Sequence, residues 1–279
     1  MLNKTISKKQ FLIEQNNMRE DFKKIIEESG NNLHIYTADL LENMGWDVDL
    51  SSYYYDDTAS KPREIDIIAQ RKVQVINSPE EKLLGEFKLF LFIECKYFKN
   101  ELSFRMRRNR EKESKEAMII EGIKSVDGWD KESLLEEEGL FREHHYLKER
   151  FIGKLYDSFP KEQEAVFNAL TQPIKSLTFF KERRLEKGMY YPMVVYSGIE
   201  GIYDIKREKA DLDKLEPKKE LIFGLNYSYR SVVDNKLKTN LFYIDFIHQE
   251  RLGDFIEEVI RKESSELRQY LFWKSKMGK

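Results

Sequence analysis

Two segments of the chain place charged residues inside otherwise apolar strand patterns. The first, Lys88 to Tyr97, is a nearly continuous apolar run that ends in Glu94-Cys95-Lys96. Because side chains alternate between the two faces of a strand, Glu94 and Lys96 share one face, about 7 Å apart along the strand. A charged pair at the buried end of a strand is costly unless it has partners. These two residues are therefore candidates for a functional site.

The second segment, Arg63 to Ala69, supplies another carboxylate, because Glu64 and Asp66 share a face within a stretch rich in isoleucine. If the two strands pair antiparallel, Asp66 lies about 5 Å from Glu94. Two carboxylates at that distance repel each other, and a divalent cation relieves the repulsion. Oxygen ligands favour Mg²⁺ or Mn²⁺. Glu64 has a second interpretation, as an ion-pair partner of Arg63 or a lysine.

The triplet Glu-x-Lys is weak support by itself, because the chain contains it five times, beginning at Glu80, Glu86, Glu94, Glu113 and Glu216. Only the triplet at Glu94 leaves a run of buried strand residues. The alternative for Asp66, Glu94 and Lys96 is a structural network of ion pairs at the end of a sheet. Cys95 is expected to be a small core residue and not a nucleophile.

The two segments together resemble the PD-(D/E)XK phosphodiesterase superfamily, which includes type II and Mrr-like restriction endonucleases and archaeal Holliday-junction resolvases. The resemblance covers about residues 33–98. It implies that Asp66 and Glu94 bind Mg²⁺ or Mn²⁺, with the backbone carbonyl of Cys95 as a further ligand. It also implies that Lys96 orients the attacking water or helps to deprotonate it.

The sequence departs from the family pattern at two places. Ile65 stands where the family name has proline. The family often has a glutamate on the first core helix, facing the metal, and none occurs around His34. Either His34 replaces it or Glu42 points elsewhere, which puts a second metal ion in doubt.

Periodicity predicts the elements that position these residues. A helix from Leu33 to Met44 is followed by strands at Trp46–Leu50, Arg63–Ile76 and Lys88–Tyr97, the last of them central because it is apolar on both faces. Later strands are predicted at Tyr190–Tyr196, Ile202–Ile205, Leu221–Tyr227 and Leu241–Ile247, before a helix from about Glu250.

The predicted fold is α/β, a restriction-endonuclease-like mixed sheet flanked by helices. Residues 1–100 and 188–279 would form the core, and residues 101–187 a mostly helical insertion.

Charge and cysteine content limit the possible partners. With 48 basic and 50 acidic residues the net charge is −2, so nucleic-acid contact requires a local basic patch. Residues 105–115 hold six basic and two acidic residues, an excess of +4. They form either a phosphate-binding surface or a solvated helix face. The candidates for nucleic-acid binding are Arg105, Arg107, Arg108 and Arg110.

Other site types are disfavoured by the sequence. A single cysteine, Cys95, excludes a disulfide within the chain and a cysteine-based zinc cluster. Adjacent histidines do not share a helix face, so His144-His145 does not predict zinc. The N-terminus has no signal-peptide pattern, and the longest apolar stretch, Leu89 to Ile93, is too short to span a membrane. A cytoplasmic protein is expected.

The expected function is a metal-dependent nuclease, acting on DNA more readily than RNA, in restriction, anti-phage defence or DNA processing. The resemblance further implies a homodimer or a partner subunit. Two alternatives remain: a non-catalytic nucleic-acid-binding or interaction protein with the same fold, and a nuclease subunit gated by a partner or ligand.

Overall fold

The structure, a computed structural model, describes residues 31–77, 82–121, 144–184, 188–206 and 214–277. Its centre is a mixed sheet of 11 strands in the order β1-β2-β3-β7-β11-β10-β6-β4-β8-β9, with β5 paired to β7. The strands are β1 Asp47–Asp56, β2 Lys61–Asn77, β3 Lys82–Tyr97, β4 Leu102–Arg108, β5 Ile119–Glu121, β6 Phe151–Asp157, β7 Gly188–Ser197, β8 Ile202–Ile205, β9 Pro217–Lys218, β10 Glu220–Arg230 and β11 Leu237–His248.

Helices cover both faces of this sheet. They are α1 Asn31–Asn43, α2 Glu111–Ala117, α3 His145–Lys148, α4 Gln163–Arg184, α5 Leu252–Phe255 and α6 Arg261–Met277, with a π-helical turn, Ile256–Ile260, between the last two. On one face α1 and the C-terminal helices pack against Leu91 and Ile93. On the other face α4 packs against Phe92 and Val194. None of the helices described is long and apolar enough to cross a membrane.

The prediction that β3 is a central strand is confirmed. It pairs antiparallel with β2, where Ile67 faces Ile93, and parallel with β7, where Met193 lies beside Ile93. Phe92 and Ile93 point to opposite faces and are both buried. A strand covered on both sides needs apolar residues at every position, which accounts for the unbroken run before Glu94.

The prediction of a mostly helical segment over 101–187 is wrong in part. Helix α4 is there, but β4, β5 and β6 are strands of the same sheet, paired with β8, β7 and β10. The alternation of Leu102, Phe104 and Met106 with polar residues is a strand pattern. The density of arginines around it concealed this period of two.

A tight turn after β7 holds the end of β3 in place. Phe98 donates a backbone hydrogen bond of 3.0 Å to the Ser197 carbonyl. Gly198 follows with φ +90°, and a Cβ on it would lie 2.2 Å from the Phe98 carbonyl oxygen. Only glycine fits such a conformation at such a close approach. The turn therefore fixes the position of the chain at the end of β3, two residues after Lys96.

Candidate metal centre

Strands β2 and β3 bring the two predicted carboxylates together. Their antiparallel register runs to the pair Ile67 and Ile93, one residue short of Asp66 and Glu94. Beyond it, the Oδ2 atom of Asp66 accepts a hydrogen bond of 2.7 Å from the backbone N–H of Cys95. The two strands do pair antiparallel, the arrangement that brings the two carboxylates together, and Asp66 lies directly beside the Glu-Cys-Lys triplet.

Helix α1 adds a third side chain to this group. The Nε2 atom of His34 lies 3.2 Å from Asp66 Oδ2. This hydrogen bond to Asp66 raises the pKa of His34 above its usual value. One turn further along α1, Thr37 contacts the Cys95 sulfur, with Oγ1 3.9 Å from Sγ. His34 is therefore the side chain of α1 that contacts Asp66, while Glu42 on the same helix is exposed.

Glu94 is the most buried acid of the group, at 5% exposure. Burial raises the pKa of its carboxyl to about 7, and the charge of Asp66 adds to this rise. Lys96 opposes the shift, since its Nζ lies 3.1 Å from Glu94 Oε1. A carboxylate held in a poorly solvated place next to another carboxylate gains stability from any additional cation.

Several oxygen atoms at the site remain open for such a cation. Among the residues that the structure describes, no hydrogen bond reaches Asp66 Oδ1 or Glu94 Oε2. In an extended strand the N–H and the C=O of one residue point to the same side. The Cys95 carbonyl therefore faces towards Asp66, as its N–H does. Two carboxylates and a carbonyl form a donor set suited to a hard divalent cation.

The thiol of Cys95 offers a competing donor. Ligand atoms of His34, Asp66 and Cys95 lie within 4.8 Å of one another. Burial raises the pKa of the Cys95 thiol well above its usual value. Metals bind the thiolate and not the thiol, so this sulfur is a poor ligand at neutral pH. The oxygen set is the better candidate.

The other predicted site residues are not brought into contact with this group. Glu64 lies opposite Tyr53 on β1, and the ion-pair partner of Arg63 is Asp56, at 3.5 Å between Nε and Oδ2. The described contacts do not join Arg105, Arg107 or Arg108, on β4, to this group, and Arg105 pairs instead with Asp157, with Nε 2.8 Å from Oδ2. Nucleic-acid binding by these arginines and by Arg110 stays a prediction.

Sequence reasoning missed a second cluster of ionisable groups, formed around His144 and His145. His145 lies between two buried carboxylates, with Nε2 2.9 Å from Asp245 Oδ1 and Nδ1 2.8 Å from Glu263 Oε1. Tyr146 donates from its hydroxyl to Asp245 Oδ2 at 3.2 Å, and Tyr191 to Glu263 Oε2 at 2.9 Å. Asp245 and Glu263 follow His145 by 100 and 118 residues, a separation that no local pattern reveals.

The two contacts of His145 in this cluster have the lengths of hydrogen bonds. His144, His145 and Glu263 have the composition of a metal site. However, separations of 2.8 and 2.9 Å are ordinary N–H···O lengths. Ligands about 2.1 Å from one ion in a tetrahedral site would lie about 3.4 Å apart. Burial would lower the pKa of His145, but Asp245 and Glu263 outweigh it and raise that pKa to about 10. His145 is therefore an imidazolium bridging two carboxylates.

Comparison with known proteins adds no relative to this description. No family model matches the sequence, and neither a curated protein nor a solved structure is significantly similar to the chain.

Proposed function

We propose that the protein is a metal-dependent nuclease of the PD-(D/E)XK type, hydrolysing phosphodiester bonds in DNA more readily than in RNA. The observation that carries the proposal is the nearly buried carboxylate of Glu94 next to that of Asp66. Lys96 donates a hydrogen bond to Glu94 Oε1. A restriction-endonuclease-like core, a role in defence or DNA processing, and action as a homodimer belong to the same proposal, because they follow from the resemblance of the motif.

Asp66, Glu94 and the carbonyl of Cys95 would hold Mg²⁺ or Mn²⁺. When bound, such an ion lowers the pKa of a water ligand and neutralises charge that develops on the phosphoryl group. The hydrogen bond from Cys95 N–H to Asp66 Oδ2 keeps that carboxylate oriented towards the strand end. His34 contacts the same oxygen from α1, which adds a second restraint on Asp66.

Lys96 would act on the attacking water. Its side chain is 28% exposed, so the ammonium group reaches both Glu94 and the solvent side of the site. In that position it can donate a hydrogen bond to a water or a phosphate oxygen while remaining positively charged. A positive charge next to the reacting phosphate stabilises the negative charge of the transition state.

A non-catalytic nucleic-acid-binding protein is the second candidate. The observation that favours it is that α1 contacts Asp66 through His34, whereas the resemblance implies a metal-binding glutamate on the first core helix. A protein of this kind would bind nucleic acid without cutting it. Asp66, Glu94 and Lys96 would then be an ion-pair network that only stabilises the sheet end.

The test is cleavage of linear DNA, circular DNA and RNA with Mg²⁺ or Mn²⁺. We expect Asp66→Ala and Lys96→Ala to reduce cleavage at least about 100-fold, as losses of electrostatic catalytic groups do. Asp39→Ala and Lys218→Ala, which change exposed residues of the same types, should cut like the wild type.

Three other results carry distinct meanings. Equal cleavage by all the variants would show that the activity does not come from this site. If nothing is cut, calorimetric titration with Mn²⁺ decides between the alternatives. Binding that is lost in Asp66→Ala would indicate a nuclease that needs a partner or ligand, and no binding by the wild type would favour the non-catalytic protein.

A further inference from the structure

A groove of about 650 Å³ lies between β2, β3 and the C-terminal helices, where Arg71, Lys72, Arg261 and Arg268 supply four basic side chains. No carboxylate lines it within the described part of the chain. Its apolar surface comes from residues such as Leu89 and Ile256, and a volume of this size is typical of sites for small molecules.

Two of the four basic groups lack an acidic partner. Lys72 pairs with Glu86, and Arg261 pairs with Glu257, each at 2.5 Å. Arg71 instead donates from NH1 to the Met44 carbonyl at 3.2 Å, and the described residues provide it with no carboxylate. Arg268 is exposed and makes no hydrogen bond or ion pair with any described residue. The groove therefore holds a net positive charge on two guanidinium groups, which bind phosphate in a forked geometry.

Trp46 adds an aromatic surface to this groove. Its side chain lines the groove and is 5% exposed. The indole Nε1 is buried inside the protein and does not open onto the groove. A bound molecule would therefore contact the indole ring and not its N–H.

We propose that this groove binds a small phosphate-bearing molecule of nucleotide size, with its phosphates on Arg71 and Arg268 and its ring system against Trp46. The proposal does not depend on nuclease activity, because the groove shares no residue with the Asp66 site. A long nucleic-acid strand fits less well. Glu86 and Glu257, which pair with Lys72 and Arg261, place negative charge at the borders, where a continuing polyanion would pass.

The experiment measures binding of ATP, AMP and pyrophosphate by calorimetry and by tryptophan fluorescence, in EDTA so that the metal centre does not contribute. We expect ATP to bind, and Arg268→Ala to weaken binding about 10- to 100-fold, as loss of a charged hydrogen bond does. Arg71→Lys should weaken it less than Arg71→Ala. Arg150→Ala removes an exposed arginine that does not line the groove, so it should bind ATP like the wild type.

Three results would overturn the proposal. One is that none of the three probes binds to the wild type. Another is that Arg268→Ala binds ATP as tightly as the wild type while its unfolding temperature is unchanged. The third is that a single-stranded oligonucleotide binds more tightly than ATP and is weakened by the same substitutions, which would make the groove a nucleic-acid surface.

Discussion

The candidate metal centre at the end of β3 and the histidine cluster between β11 and α6 each combine two carboxylates with basic side chains. In the histidine cluster all four carboxylate oxygens accept hydrogen bonds, from His145, Tyr146 and Tyr191. At the metal centre only Asp66 Oδ2 and Glu94 Oε1 accept hydrogen bonds from the residues described. Every carboxylate oxygen of the histidine cluster thus has a hydrogen-bond donor among the described residues, whereas two carboxylate oxygens of the candidate metal centre have none.

We propose that this difference distinguishes a structural ion-pair cluster from a metal-binding site. Charges that are buried with all their partners hold secondary-structure elements together but leave no atom for a ligand. The histidine cluster joins β11, α3 and α6 in this way. At the candidate metal centre, two carboxylate oxygens accept no hydrogen bond from the described residues, at the end of a buried strand where an unpartnered charge is costly. The following predictions test this distinction.

The largest effect is expected from Glu263→Gln. The substitution removes one buried charge and leaves the imidazolium of His145 with a single carboxylate. Breaking a buried ion pair from one side typically costs about 3–5 kcal/mol of the free energy of unfolding. Urea denaturation measures it, with Asp66→Asn as the control, expected to change stability by less than about 1 kcal/mol. Equal losses in the two variants would remove the distinction between the clusters.

The histidine cluster should also make stability depend on pH. The pKa of His145 is raised from 6.5 to about 10, so its contribution is complete below pH 6.5 and is lost as the pH rises to 10. We expect wild-type stability to fall over this range by on the order of 2 kcal/mol more than the stability of His145→Gln. Denaturation curves at several pH values give the comparison. Parallel pH profiles would show that His145 is not an imidazolium.

At the metal centre, His34→Ala should weaken Mn²⁺ binding by about tenfold, because groups that orient a metal ligand typically contribute 10- to 100-fold to affinity. The measurement is calorimetric titration. Asp39→Ala, on the same helix but exposed, serves as the matched control. Unchanged affinity in His34→Ala would mean that the Cys95 N–H alone is sufficient to orient Asp66.

The smallest effect is expected from Glu94→Gln in metal-free protein. Burial and the charge of Asp66 raise the pKa of Glu94 to about 7, so at pH 8, where the carboxyl is ionised in the folded and the unfolded chain, its charge lowers the stability of the fold. A neutral amide should leave stability unchanged or raise it by up to about 1 kcal/mol, since Lys96 loses a partner at the same time. Thermal unfolding in EDTA tests this. A loss as large as that in Glu263→Gln would identify Glu94 as a structural ion-pair residue.

The central strands of the sheet, and the grouping of Asp66, Glu94 and Lys96 near the end of β3, could be predicted from the sequence. The apolar run before Glu94 and the isoleucine-rich stretch around Asp66 each carry a local period, and such a period specifies strand and face without reference to distant residues. The structure places Asp66, Glu94 and Lys96 at one strand end, as their spacing predicted.

Other features depend on contacts between residues that are far apart along the chain, and these could not be predicted from the sequence. Strand β4 pairs with β6 and β8, and this pairing stabilises a local strand pattern that its arginines concealed in the sequence. His145 acquired its charge from Asp245 and Glu263, and the groove at Trp46 exists because α6 packs near β2. Burial and ion pairing arise from residues far apart in the chain, so no local pattern in the sequence records them.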